Sequence, residues 1–331
     1  MTAQPSAIRP DPARHAEAAA RAIGATFSDL DQGGGYLFRI AKNGRSVLGG
    51  AGAICSFPVN SATALAIARD KSHTKAALSA VGLPVIPGGL FFAQTHRAAL
   101  RGPGREIADA ARFAEALGYP VFCKPNLGAG GNFAEIVPDA SAFADYAERI
   151  AREFEAFLVE PVISGDEHRV FVQDDRAVFH STKSPPALVG DGASTLGELL
   201  FQLNASVAGT GVSAYPPAAL SLTGRAPTDI PRAGERILLP GRRNLSAAGD
   251  IEHVSTHVPP ELESLAREAI STLGLRIGAV DMFDASPARD LSGLVIIEAN
   301  GNPGLRTLEV AGRNDLVLDI WTRMLNELLG A

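Results

Sequence analysis

Residues 294–300 read Leu-Val-Ile-Ile-Glu-Ala-Asn, so four apolar residues run straight into a carboxylate and an amide. An uninterrupted apolar run marks a buried strand, and alternation along a strand puts Glu298 and Asn300 on one face. A carboxylate buried there without a partner is costly, so a cation is its natural neighbour. A second apolar segment, residues 277–283 (IGAVDMF), carries Asp281 and reads as the adjoining strand. Asp281, Glu298 and Asn300 together offer only oxygen ligands, a set suited to Mg²⁺ held jointly with nucleotide phosphates and lacking the soft donors that favour zinc. The alternative is a capped strand end with an Asn-Gly turn, which leaves the buried acid unexplained.

Two further segments carry chemistry. In PVFCKPNLGAGGN (120–132) an apolar strand delivers Lys124 into a loop containing Gly128, Gly130 and Gly131, followed by another strand. Glycines let backbone N–H groups approach phosphate oxygens at positive φ, and the lysine adds a point charge. A Gly-rich hairpin beside a chance lysine is the competing reading. In FLVEPVISGDEHRV (157–170) a strand ends at Glu160, turns, and re-enters a strand after Glu167. Such a crossing between two lobes is a hinge, and ligands bind at such clefts. Carboxylates there accept hydrogen bonds from an adenine amine or ribose hydroxyls, unless they are simply exposed acids at a strand end.

Composition closes off other classes. The chain of 331 residues carries a net charge of −6 with acids and bases interspersed, so it offers no basic face for nucleic acid. No apolar run reaches membrane-span length, and Arg9, Asp11, Arg14 and Glu17 interrupt any signal-like N-terminus. The two cysteines, Cys55 and Cys123, predict neither a disulfide framework nor a zinc site. Cys123 sits on a buried strand and reads as packing. His253 and His257 stand four apart in an extended, Pro-bounded segment, without the helix that would make the spacing a metal site. A soluble, cytoplasmic protein is expected.

Three parts follow along the chain. Residues 1–68 predict a short α/β lobe: a disordered Pro-rich start to residue 12, a helix over 13–23, and strands at 25–30, 36–41 and 46–51. Residues 69–162 begin with a helix over 71–81. They then predict a lid at about 107–160, with helices 107–117 and 141–155 and strands PVFCK, FAEIV and AFLVE. Residues 163–331 form a third part, with a strand pair turning at Asp174-Asp175 and a capping box at Thr195/Glu198. Long functional loops are expected over the rest of 185–250, then a helix over 260–273, the two acid-bearing strands, and a closing helix over 314–329.

These segments in this order resemble the ATP-grasp superfamily across about residues 68–331, in the manner of cyanophycin synthetases and bifunctional glutathione synthetases. The matching stretches are DKSHTKAALSAVGLPVIPG, GYPVFCKPNLGAGG, FLVEPVISGDEHRVFV, GDGASTLGELL, GLRIGAVDMF and VIIEANGNPGL. The resemblance implies an α+β fold of two lobes gripping ATP, preceded by the short N-terminal lobe. It implies Lys71 and Lys124 on ATP phosphates, with the 128–131 loop covering them. It places Glu160 and its neighbours Pro161, Val162 and Ile163 at adenine, and Glu167 on the ribose. Asp281, Glu298 and Asn300 would hold two Mg²⁺ ions, Glu298 bridging, with Mn²⁺ able to substitute. Dimers are common among the relatives, so a homodimer is expected.

The reaction implied is an ATP- and Mg²⁺-dependent ligation of a small-molecule carboxylate to an amine, amino-acid-derived, through an acyl phosphate with release of ADP and phosphate. Arg306, or Arg242 and Arg243, would neutralise the acyl phosphate or the tetrahedral oxyanion. A small-molecule kinase on the same scaffold, or a non-catalytic nucleotide-binding module, are the alternatives. The chain departs from these relatives in places. Asn132 and Phe133 follow the glycines early, Lys183 stands where relatives carry arginine, and the loop at 244–249 lacks one glycine. The relatives' large additional domains have no counterpart here, so their substrates are not carried over.

Overall fold

The computed structural model describes residues 9–330 apart from 97, 129, 164, 185, 209–213, 216 and 240–249. Helix α1 (Asp11–Ala22) opens the described chain two residues earlier than the sequence suggests, because Pro12 stands in its first turn, where a missing N–H costs nothing. Three antiparallel strands follow, β1 (Thr26–Asp29), β2 (Leu37–Lys42) and β3 (Arg45–Gly50), with Asn43-Gly44 turning the hairpin. Next come α2 (Ala62–Arg69) and α3 (Lys71–Ala80). They are separated only by Asp70, whose side chain accepts from the His73 N–H and caps α3.

The region expected as a lid, about 107–160, folds together with β4 (Gly89–Phe92) and comprises α4 (Ile107–Leu117), β5 (Val121–Pro125), β6 (Glu135–Val137), α5 (Ala140–Ala151) and β7 (Ala156–Pro161). Its strands form one antiparallel sheet in the order β4-β7-β5-β6. Phe157, Val159, Val121 and Cys123 are buried with Tyr146 and Ile150 of α5. Cys123 is packing, as expected, and burial pushes its thiol well above the ordinary range. Strand β4 escapes sequence reading because its four residues carry no alternation of their own and gain order only by pairing with β7.

The third sheet holds β8 (Asp166–Gln173) and β9 (Arg176–Ser184), which pair across the Asp174-Asp175 turn. Next comes β10 (Ala187–Val189), then α6 (Leu196–Val207), the helix that the capping box predicts, while the stretches expected as loops also contain β10, α7 (Ala218–Ser221) and β11 (Arg236–Leu238). β10 pairs with β11, and Leu188, Ile237 and Leu239 bury Leu196 and Leu200 of α6 in a small core of their own. Two three-residue strands so far apart leave no periodic signal, which is why that hairpin is invisible before folding. Thr195 and Glu198 do form the predicted capping box. Then come β12 (Asp250–Ser255), α8 (Pro260–Thr272), β13 (Ile277–Asp284), β14 (Leu294–Asn300), α9 (Arg306–Val310) and α10 (Asn314–Leu329).

The large sheet runs β12-β9-β8-β13-β14, all antiparallel. One face, with Val170, Val172, Val280 and Met282, is sealed by Leu262, Ala266 and Ile270 of α8. On the other, Phe171, Phe179, Ile277 and Ala279 join a core shared by Trp321 of α10, Phe38 and Ile40 of β2, and the alanine stripe Ala13, Ala16, Ala19 and Ala20 of α1. The first and last elements of the chain thus close one core. Along that face the strands pass from apolar to charged: Ala279 is followed by Asp281, and Phe171 is preceded by Arg169 and Glu167. The charged end is the site.

Candidate active site

Two charged groups meet where the lid sheet approaches the large sheet. The first is cationic. Glu160, at the end of β7, is 1% exposed and holds two lysines: Lys124 lies 3.0 Å from Oε2, and Lys75 pairs with Oε1. Lys75 also donates to the Ile86 carbonyl at 2.8 Å. Lys71 reaches the loop after β5, donating to the Gly128 carbonyl at 3.0 Å. That loop is joined to α3 through Asn126, whose side chain accepts from the Ser72 N–H at 2.9 Å. Gly128, Gly130 and Gly131 have φ of +149°, +71° and +72°, conformations that an L side chain rarely adopts. The far end of the loop is pinned by Phe133, packed edge-on against Phe154, with its carbonyl accepting from Tyr146 Oη at 3.0 Å.

Burial lowers the Lys75 ammonium to about 8, opposed by Glu160 and reinforced by Lys124. Burial also lowers Lys71, against the pull of Glu298. Three lysines over one buried carboxylate leave this side with an excess of positive charge. Such a surface suits a polyanion.

The second group lies on the large sheet. Register places Asp281 directly across from Glu298 and from Arg169, and Glu167 across from Lys183. Asn300 opposes Ala279, on the face of Glu298, as strand alternation requires. Arg169 forks onto Asp281, donating from Nε to Oδ1 at 2.7 Å and from Nη2 to Oδ2 at 2.6 Å. Lys183 Nζ bridges Glu167 Oε1 at 2.7 Å and Asp281 Oδ1 at 3.0 Å. Burial alone would raise the Asp281 carboxyl, but Arg169 and Lys183 outweigh it and hold it well below the usual carboxylate range. Glu298 is half-buried, with no hydrogen bond or ion pair among the described residues. Asn300 Oδ1 accepts from the Asn302 N–H at 2.9 Å.

The two groups are physically tied. The Ile86 N–H donates to the Ile296 carbonyl at 3.2 Å and the Ile296 N–H to the Pro84 carbonyl at 2.8 Å. The segment that holds Lys75 is therefore hydrogen-bonded to the strand that carries Glu298. Among the described residues no three His, Cys, Asp or Glu side chains gather as a metal cluster. The donor chemistry of Asp281, Glu298 and Asn300 nevertheless suits a hard cation, since all three offer oxygen from one face of two adjacent strands.

Of the remaining expected residues, Pro161, Val162 and Ile163 lie in the half-buried crossing from β7 to β8. Arg306 opens α9, six positions beyond Asn300, and is exposed. Arg242 and Arg243 lie outside the described residues. Sequence reasoning missed Lys75 and Arg169 and gave Lys183 no role at the site. Two of these had a signal: Lys75 is four residues after Lys71 on one helix face, and Arg169 is two after Glu167 on one strand face.

Residues 70–168 match the family described as "Carbamoyl-phosphate synthase L chain, ATP binding domain". The chain is 29% identical over 255 residues to the cyanophycin synthetase of Trichormus variabilis, covering 72% of this chain and 27% of that protein. It is 28% identical over 259 residues to the glutathione biosynthesis bifunctional protein GshAB of Enterococcus faecalis, covering 72% of this chain and 32% of that protein. The match thus spans about a third or less of these relatives' length. A crystal structure of a bifunctional glutathione synthetase from Pasteurella multocida superposes with a TM-score of 0.53 at 20% identity, covering 96% of this chain and 43% of that one. The chain carries an ATP-grasp domain with the expected α+β fold, related to those of cyanophycin synthetases and bifunctional glutathione-biosynthesis proteins.

Proposed function

We propose that this protein is an ATP- and Mg²⁺-dependent ligase joining a small-molecule carboxylate to an amine, both amino-acid-derived, through an acyl phosphate. The observation that carries the reading is a surplus of lysines from α3 and β5 around Glu160, hydrogen-bonded through residues 84–86 to the strand that carries Glu298. Relatives named as synthetases and biosynthesis proteins support it.

In this reading Lys71, Lys75 and Lys124 take the ATP phosphates, and the 128–131 loop lies over them. Glu160 spends both oxygens on lysines and so orients them. Adenine then falls to the Pro161–Val162–Ile163 crossing and the ribose to Glu167. Asp281, Glu298 and Asn300 would hold two Mg²⁺. When bound, these ions neutralise phosphate oxygens that would otherwise repel the attacking carboxylate. Transfer of the γ-phosphoryl converts a poor acyl donor into a mixed anhydride with phosphate as leaving group. The amine attacks it, and Arg306 or the Arg242–Arg243 pair meets the oxyanion. The lid keeps water from the anhydride.

The test follows the bond broken. With ¹⁸O in the substrate carboxylate, one labelled oxygen is expected in released phosphate, with ADP as the nucleotide product. Hydroxylamine should trap the acyl phosphate as a hydroxamate when no amine is supplied. Label in AMP would reject the acyl-phosphate route, and label retained in a stable phosphorylated product would reject ligation in favour of a kinase.

A further inference from the structure

Asp281 has little room left for a metal. Its side chain is 3% exposed, and its two oxygens already accept three charge-assisted hydrogen bonds, two from the Arg169 fork and one from Lys183. A carboxylate has about four acceptor positions in all, and a Mg²⁺ ion must approach one oxygen to about 2.0–2.1 Å. At that distance it would stand against the guanidinium and the ammonium that already hold those oxygens. Lys183 is held by Glu167 as well, and Arg169 lies in mid-strand between β9 and β13.

The charge balance of the whole site points the same way. Five cations (Lys71, Lys75, Lys124, Arg169 and Lys183) face five carboxylates (Glu160, Glu167, Asp281, Glu298 and Asp70, which acts on Lys71), so the positive charges are already balanced. Two bare divalent ions would add four more to a partly buried cluster, where charge repulsion is poorly screened. A tetra-anionic nucleoside triphosphate brings the same two ions in with no net charge.

Building on the metal-ligand reading above, we propose that Arg169, aided by Lys183, acts as an internal counter-ion that closes the metal site until nucleotide arrives. Arg169 is a positioning residue: it acts through Asp281 by occupying both of its oxygens. Metal and nucleotide then enter together, the phosphates drawing the two cations away from Asp281. This makes the binding order a property of the fold, and it keeps free divalent ions from filling the site without substrate.

Mn²⁺ titration followed by the electron paramagnetic resonance signal of the free ion tests this without turnover. Wild type should bind Mn²⁺ weakly alone and tightly with a non-hydrolysable ATP analogue. Arg169→Gln should bind Mn²⁺ alone at least about tenfold more tightly, equivalent to about 1.4 kcal/mol, and Lys183→Gln should shift it the same way. On the wild-type chain, the Arg169 Nε–H nuclear magnetic resonance signal, assigned by loss in Arg169→Lys, should move with Mg²⁺ plus analogue but not with Mg²⁺ alone. Tight Mn²⁺ binding by wild type without nucleotide, or folded Arg169→Gln and Lys183→Gln variants with unaltered Mn²⁺ affinity, would overturn the proposal. Asp281→Asn separates the two ideas: if it keeps the analogue-dependent Mn²⁺ site intact, Asp281 is no metal ligand and the underlying assignment falls instead.

Discussion

The lysine group around Glu160 and the acid group on the large sheet are opposite solutions to burying charge. Around Glu160 two lysines share one buried carboxylate, and Lys71 donates to a backbone carbonyl. Around Asp281 two cations are matched by two acids, Asp281 and Glu167, with geometry tight enough to hold both. The first arrangement is held in readiness for an anion and loses stability by it, as the lowered lysines record. The second is neutralised in advance and rigid. Within it Glu298 is the exception, carrying no ion pair among the described residues although it sits across from Asp281. Asp281 and Glu167 are saturated by cations of the chain itself until a ligand displaces them, whereas Glu298 and the surplus lysines are balanced only when a ligand arrives.

The largest expected effects divide Asp281 from Glu298. Either Asp281→Asn or Glu298→Gln should cut turnover by roughly a hundredfold or more, the scale on which a single charge-stabilising group acts. Their effects on stability should differ sharply. Asp281→Asn strands Arg169, leaving Lys183 with Glu167 alone, and should destabilise by about 3–5 kcal/mol, the usual result of breaking a buried ion pair from one side. Glu298→Gln removes no partner and should stay within about 0.5 kcal/mol. Denaturant melts of both variants check this, and equal losses would erase the distinction drawn above.

A smaller effect is expected on the lysine side. Lys124→Ala should weaken nucleotide binding and phosphoryl transfer together, and Lys124→Arg should rescue poorly, because a planar fork does not replace a point ammonium beside Glu160. Calorimetric titration with a non-hydrolysable analogue measures the first. Unchanged affinity would remove Lys124 from the phosphate site.

The smallest effect is a pH dependence. The Lys75 ammonium titrates near 8 in the folded chain and near 10.5 when unfolded. The folded state therefore holds fewer protons between those values, and the cost of burying charged Lys75 is fully present below pH 8 and relieved as pH rises toward 10.5. Ligand binding should respond in the opposite sense: analogue affinity falls as pH passes 8 and the cation is lost. Lys75→Met should abolish that step in both profiles, and a step that persists would assign it to another group.

Local pattern alone was enough for much of this. The apolar run into Glu298 and Asn300, the lysine delivered by a strand into a glycine loop, the capping box at Thr195 and the helical spacing of α10 are all written within a few neighbouring residues. Burial of a charge is forecast wherever a strand's periodicity forces it inward, and Asp281 and Lys124 are buried as expected, whereas Glu298 and Asn300, on the edge strand β14, are only half-buried. What the tertiary structure decided is which charges neutralise which. Lys75 and Glu160 are 85 positions apart, Lys183 and Asp281 98, and Arg169 and Asp281 112. The β10–β11 hairpin and the core that joins α1 to α10 are likewise made by distant partners. No local preference encodes such pairings, because their energy appears only when sheet register brings the side chains within hydrogen-bonding distance. For that reason Glu160 read as an adenine contact in the sequence and stands in the structure as the counter-ion of two lysines.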